Sequence, residues 1–74
     1  MSLLTLDLHG VRHHEVDLKV ENFTFLNQDH IPLIIICGNS SRMIKIVSAF
    51  LDKHKIEYYL GEGLDYGRIT IFKI

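Results

Sequence analysis

Asp7 and His9 are the residues of this 74-residue chain best suited to acid–base chemistry. They are two positions apart in Leu3–His9, where apolar and polar residues alternate, and this period of two predicts a strand with one buried face. Side chains two apart on a strand point to the same face, so we expect the carboxylate and the imidazole to lie together. Histidine suits proton transfer near neutral pH, and Asp7 could orient the ring. The same spacing is also typical of a solvated polar strand face.

A second candidate site follows the second predicted strand, where Gly38-Asn39-Ser40-Ser41 forms a turn before a helix. We expect Ser40 or Ser41 to cap that helix. The free N–H groups at a helix start, together with serine hydroxyls, can bind an anion, although such a turn is also typical of a simple cap. The expected phosphate-binding residues are Gly10, Arg12, His13, Gly38, Asn39, Ser40, Ser41, Arg42 and Lys45.

Six elements are predicted around these two sites, in the order β-α-β-α-β-β. The predicted strands are Leu3–His9, Leu33–Cys37, Ile56–Leu60 and Arg68–Lys73. The first helix is predicted over Arg12–Gln28, from the helical spacing of Val16, Val20, Phe23 and Leu26. The second helix is predicted from the spacing of Met43, Ile46, Val47, Phe50 and Leu51.

This order predicts an α/β fold, a two-layer α+β sandwich built on a four-stranded mixed sheet with both helices on one face. Strands joined through a helix pair in parallel with a right-handed crossover, so the first two strands end at the same edge. The Gly-rich segment before the last strand predicts a hairpin. Ligands of open α/β sheets bind along the edge where parallel strands end, which is where both candidate sites lie.

Composition limits the class of protein. A chain of 74 residues with 47% hydrophobic residues is expected to form one domain, over residues 1–74. A net charge of −1 excludes a strongly basic protein that coats nucleic acid by charge alone. The longest apolar run, Leu33–Cys37, is too short for a membrane helix, and the start Met1-Ser2-Leu3-Leu4 lacks the features of a signal peptide. We therefore expect a cytoplasmic protein with no membrane partner.

Five histidines and one cysteine raise the question of a metal site. The candidate ligands would be Asp7, His9, His13 and Cys37. The spacing matches no zinc motif, so we predict no metal site and no cofactor, while a divalent cation such as Mg²⁺ could assist at Asp7. Cys37 is expected to be an inert core thiol, although the nearby helix start would favour its thiolate.

The segment Leu6-Asp7-Leu8-His9-Gly10 resembles the LDLHG motif of Smr (small MutS-related) domains. Weaker similarities to the same family cover essentially the whole chain; they include Glu15, Ile34–Gly38, the apolar positions Met43, Val47, Phe50 and Leu51, and the closing residues Gly67, Thr70 and Ile71. The family's second motif normally reads His-Gly-x-Gly or Thr-Gly-x-Gly. Here Cys37 replaces the first residue of that motif, Ser40 replaces its second glycine, and the following loop is shorter.

The resemblance implies a β-α-β-α-β-β domain similar to the C-terminal domain of translation initiation factor 3. It implies nucleic-acid binding, to RNA or DNA, and links the family to DNA-nicking or RNA endonuclease activity. Asp7 and His9 match the motif residues implicated in cleavage. Gly38 matches a glycine associated with substrate binding.

We therefore expect a single Smr-like domain that binds nucleic acid. Its Asp7–His9 pair makes endonuclease activity on RNA or DNA a possible second function. The alternative is a non-catalytic nucleic-acid-binding or protein-interaction module. A further hypothesis is self-association of the chain through an exposed sheet edge or through a face of tyrosine and phenylalanine side chains. The sequence does not choose between them, so the enzyme assignment stays open.

Overall fold

The sheet of the computed structural model has four strands in the order β1-β2-β4-β3, and the structure describes residues 3–74. The strands are β1 (Thr5–Asp7), β2 (Leu33–Ile36), β3 (Glu57–Leu60) and β4 (Arg68–Lys73). The helices are α1 (His13–Leu26) and α2 (Ser41–Lys53), and short 3-10 turns occupy Gln28–His30 and Gly63–Asp65. The predicted class, element order and mixed sheet are confirmed.

Strand register decides which chain segments meet at the site. β1 runs parallel to β2, with Asp7 opposite Ile36, and β4 runs antiparallel to β2, with Arg68 opposite Ile36. The ends of β1 and β2 and the beginning of β4 therefore lie at one edge of the sheet. We call this edge the rim and define it as residues 7–12, 38–42 and 67–68.

The two helices pack on one face of the sheet around a single core. Leu33, Ile35, Ile69 and Ile71 alternate along β2 and β4 and contact the helices through one buried cluster. From the helices, that cluster takes Val16, Val20, Met43, Val47, Phe50 and Leu51. The strongly amphipathic pattern of α2 explains this placement, because its apolar residues recur every three or four positions.

β1 is shorter than the predicted strand Leu3–His9. It ends at Asp7 because the chain turns there, although Leu8 N–H still donates to the Ile36 carbonyl oxygen at 2.9 Å. His9 and Gly10 lie in the turn, and Gly10 has a φ of +79°, a conformation that favours glycine. The prediction that His9 is a strand residue was therefore wrong.

The first helix also differs from its prediction over Arg12–Gln28. Arg12 is its N-cap residue rather than a helical residue, and a 3-10 turn follows the helix after Asn27. Leu26, one of the apolar residues whose spacing predicted the helix, is 80% exposed, whereas Thr24 is fully buried. The buried stripe of α1 follows a strict spacing of four residues from Val16, and Leu26 falls outside that stripe.

No helix within residues 3–74 is long and apolar enough to cross a membrane. Residues Met1 and Ser2, on which part of the signal-peptide expectation rests, lie outside the described residues.

Gly67 joins the end of β2 to the beginning of β4. Its carbonyl oxygen accepts a 2.6 Å hydrogen bond from Cys37 N–H, and its φ is +89°. A methyl group at Gly67 would overlap the carbonyl group of Gly38. Only glycine fits both the backbone conformation and the close approach of the two segments.

Replacement of Gly67 by alanine should therefore lower the free energy of unfolding more than replacement of a glycine that has a similar φ but free space around its Cα atom. Gly10 is the matched control, because nothing lies within 4 Å of the position a methyl group would take there. We expect Gly10→Ala to lower the free energy of unfolding by about 1–2 kcal/mol, and Gly67→Ala to lower it by at least about 3 kcal/mol. Urea denaturation measures both values, and equal losses would contradict the close contact.

Candidate functional site

The turn after β1 is held by the Asp7 side chain. Asp7 Oδ1 accepts a 2.9 Å hydrogen bond from the backbone N–H of His9. Val11 N–H donates to the Leu8 carbonyl oxygen at 2.9 Å, which closes the turn around Gly10. We expected the Asp7 carboxylate to orient the His9 ring, but its hydrogen bond goes to the His9 backbone instead. In this structure Asp7 positions the turn that carries His9.

His9 lies against Gly38, so the two candidate motifs do meet at the rim. Both Asp7 and His9 are exposed, and a methyl group at Gly38 would lie 3.8 Å from the His9 Nδ1 atom. Gly38 has a φ of +68°, which favours glycine at this position. The absence of a side chain at Gly38 leaves the approach to the His9 ring open from that side.

Ser40 caps α2, as one of the two predicted alternatives. Its Oγ accepts a hydrogen bond from Met43 N–H at 3.1 Å, and its carbonyl oxygen accepts from Ile44 N–H at 3.1 Å. The hydroxyl of Ser40 therefore serves the helix. An anion at this helix start would contact earlier N–H groups, those of Ser41 and Arg42. Asn39 and Ser41 are exposed beside the cap.

Basic residues surround this turn because both helices begin at the rim. Arg12 and His13 lie at the start of α1, while Arg42 and Lys45 lie in the first two turns of α2. All four side chains are exposed. The structure adds Arg68, which the sequence analysis missed. The sequence carried no signal for it, because the predicted hairpin pairs β4 with β3, whereas the place of Arg68 follows from the pairing of β4 with β2.

Arg68 and Asp7 lie on the same face of the sheet, on either side of Ile36. Paired residues of neighbouring strands point to the same face, and Ile36 pairs with both. Two strand spacings of about 4.8 Å place the backbones of Asp7 and Arg68 about 10 Å apart. Arg68 is exposed and thus extends the basic rim onto the sheet face opposite the helices.

The candidate metal ligands do not lie close enough together to form a metal site. Within residues 3–74, no three His, Cys, Asp or Glu side chains lie close enough together to hold a metal ion. No role is therefore assigned to a divalent cation held by Asp7, His9, His13 and Cys37.

Three of the four aromatic residues in β3, β4 and the segment between them are exposed. Tyr59 is 63% exposed, and its ring stacks on Phe72 with 4.4 Å between ring centroids. Tyr66 is also exposed, at the end of the turn before β4. Tyr58 is half-buried, and its hydroxyl donates to Asp52 Oδ1 at 2.8 Å. Burial first, and then this hydrogen bond, raise the pKa of Tyr58 above its ordinary value.

Comparison of the chain with protein-family models, curated proteins and solved structures gave no match. The resemblance to Smr domains and to the C-terminal domain of translation initiation factor 3 therefore stays a prediction. Any function assigned to the chain has to rest on its fold and on the geometry of the rim.

Cys37 lies in the core directly behind the rim. It is 4% exposed, and burial raises the pKa of its thiol to about 11. The position next to a helix start was expected to favour the thiolate, but burial dominates. Cys37 is thus a packing residue, as the sequence indicated, and not a nucleophile.

We expect Cys37 to react with a thiol reagent such as Ellman's reagent more than about a hundredfold slower in the native protein than in denaturant at pH 8. The physical reason is the small thiolate fraction at a pKa of about 11, together with burial. The same protein in denaturant is the control, since Cys37 is its one cysteine. Similar rates in the two states would contradict a buried thiol at this position.

Proposed function

We propose that this chain is a cytoplasmic Smr-type domain that binds nucleic acid along the rim. The observation that carries the proposal is the Asp7–His9 turn, which is seated against Gly38 where β1, β2 and the start of α2 meet. A histidine beside a side-chain-free backbone, at the edge where strands end and helices begin, is suited to contact a phosphodiester.

The charge distribution supports a polyanionic ligand despite the net charge of −1. Four of the eight lysine and arginine residues lie at or next to the rim: Arg12, Arg42, Lys45 and Arg68. Basic side chains bind phosphates without regard to base sequence, and the released counterions make such binding weaken with salt. The average charge thus conceals one basic edge.

Cleavage would use His9 as the base. With RNA, neutral His9 would take the proton of a 2′-hydroxyl, whose oxygen attacks the adjacent phosphorus as the bond to the 5′ oxygen breaks. The 5′ oxygen would leave with a proton from water, giving a 2′,3′-cyclic phosphate and a 5′-hydroxyl. Arg12 and Arg42 would offset the charge that develops on the phosphate. With DNA, His9 would instead have to activate a water molecule.

One observation favours the non-catalytic alternative. The Asp7 carboxylate is bonded to the His9 backbone, whereas a catalytic histidine is usually oriented by a group that bonds its ring. The replacement of the family's second-motif residue by buried Cys37 points the same way. A binding module that holds nucleic acid without cutting it is therefore the second candidate.

The third candidate, a protein-interaction module, is supported by the exposed sheet edge. β3 is an edge strand, and the stacked rings of Tyr59 in β3 and Phe72 in β4 are exposed. A second copy of this chain could pair there, in the way that edge strands associate. Self-association that is insensitive to salt, without affinity for nucleic acid, would select this candidate over the other two.

Purified protein should nick RNA or supercoiled DNA, and His9→Ala should reduce the rate by about 10²–10⁴-fold while leaving the fold intact. Gel electrophoresis of both substrates, with and without Mg²⁺, measures cleavage. His14→Ala is the matched control, because His14 is exposed on the first turn of α1 and has no role in the site.

The outcomes separate the candidates. Cleavage that survives His9→Ala would reveal a contaminating nuclease and contradict the enzyme assignment. Binding that weakens with salt, without cleavage, would support the binding module. The absence of any affinity for RNA or DNA would overturn the proposal as a whole.

A further inference from the structure

A cavity of about 220 Å³ lies beside the rim on the helix side of the sheet. Its walls are apolar, with Ile44 from the first turns of α2, Leu60 from the end of β3 and Ile69 from β4. The segment before β4 completes it with Tyr66 and with Glu62. The cavity therefore combines an aromatic ring, aliphatic walls and one carboxylate.

The segment that forms the outer wall is folded tightly. Gly61 N–H donates to the Arg68 carbonyl oxygen at 2.8 Å, and Tyr66 N–H donates to the Gly63 carbonyl oxygen at 3.2 Å. A methyl group at Gly61 would overlap the Asp65 backbone, so the two arms of this segment are in contact. These contacts shape the wall without a ligand, which lowers the entropic cost of binding.

Two large side chains of the cavity remain exposed to solvent. Leu60 is 49% exposed and Tyr66 is 47% exposed. A flat, apolar ligand that covered both would remove this surface from water. The volume is below the roughly 300–1,000 Å³ of pockets for drug-sized ligands, and it suits a single ring system.

Gly67 connects this cavity to the rim. It lines the cavity, and its backbone contacts Gly38 at the end of β2. A phosphate held at the rim would thus have its own nucleotide, or the next one, within reach of the cavity. Arg68 follows Gly67 in the chain and also lines the cavity.

We infer that the cavity holds one unstacked nucleobase of the nucleic acid whose phosphate the rim binds, an inference that rests on the proposed function. The base stacks on Tyr66 between Leu60 and Ile44, and the ligand is single-stranded, because a paired base cannot enter. Glu62 accepts hydrogen bonds from the Watson–Crick edge. Guanine presents two adjacent donors there, N1–H and the 2-amino group, so the cavity prefers guanine.

The test measures base preference by fluorescence anisotropy on labelled ten-nucleotide strands, as RNA and as DNA. The strands are all-uridine or all-thymidine, with or without one central guanosine. We expect the guanosine strand to bind about tenfold more tightly than the plain strand. Glu62→Gln should reduce this preference to within about twofold, and Tyr66→Leu should weaken binding of the guanosine strand about tenfold.

Two variants in the same segment are matched controls. Asp65→Asn removes the same charge as Glu62→Gln, and Leu64→Ala shortens a side chain that is fully exposed outside the cavity. Both should keep the guanosine preference. Thermal unfolding of each variant checks the fold, and Glu62 is exposed, so Glu62→Gln tests the inference even if Tyr66→Leu is unstable.

The failures are distinguishable. Salt-dependent binding without guanosine preference, with equal affinities for wild type and Glu62→Gln, would overturn the inference and leave the proposed function intact. A preference lost equally in Asp65→Asn would assign it to net charge and also overturn the inference. No binding of any single strand, while duplex RNA or DNA still binds in a salt-dependent way, would overturn the inference alone. No binding of any RNA or DNA would overturn both.

Discussion

The contact between the backbones of Gly38 and Gly67 is the constraint on which the candidate site depends. It ties the end of β2 to the beginning of β4 through the hydrogen bond from Cys37 N–H to the Gly67 carbonyl oxygen. β1 then pairs with β2 and brings its own end, the Asp7–His9 turn, to the same edge. Without room for this approach, the turn after β1 and the first turn of α2 would not share a surface with Arg68.

The same contact gives the two sides of the rim different chemistry. On one side are His9, the cap at Ser40 and the arginines that flank them, which suit a phosphate. On the other side, Tyr66 and Leu60 leave an apolar recess that suits a ring. A nucleotide carries both groups a few ångströms apart, so one small ligand class accounts for both halves of the edge.

Much of the fold could be predicted from the sequence, because local patterns determine it. The β-branched run of β2 and the helical spacing of α2 each indicate one element, and the chain order limits their pairing. The ends of elements were less predictable. β1 stops at Asp7 because a side-chain hydrogen bond to the His9 backbone replaces the strand geometry, and alternation of residues carries no signal for that bond.

The sequence predicted that three residues of the candidate site lie together, but it did not predict their hydrogen bonds. Asp7, His9 and Gly38 do lie together, yet the role expected for the Asp7 carboxylate depended on where its hydrogen bond goes. Arg68 was not assigned to the rim, and Tyr66 was not assigned to the cavity, because their places follow from strand register and from the folding of the 61–67 segment, which are tertiary properties.

An NMR titration of the ¹⁵N-labelled protein with a non-cleavable, guanosine-containing single strand tests the central claim most directly. If nucleic acid binds along the rim and in the adjoining cavity, the largest amide shifts fall at residues 9–12, 38–42 and 61–68. Largest shifts at the groove between α1 and α2, near Leu18 and Ala49, or no shifts at all, would contradict the account.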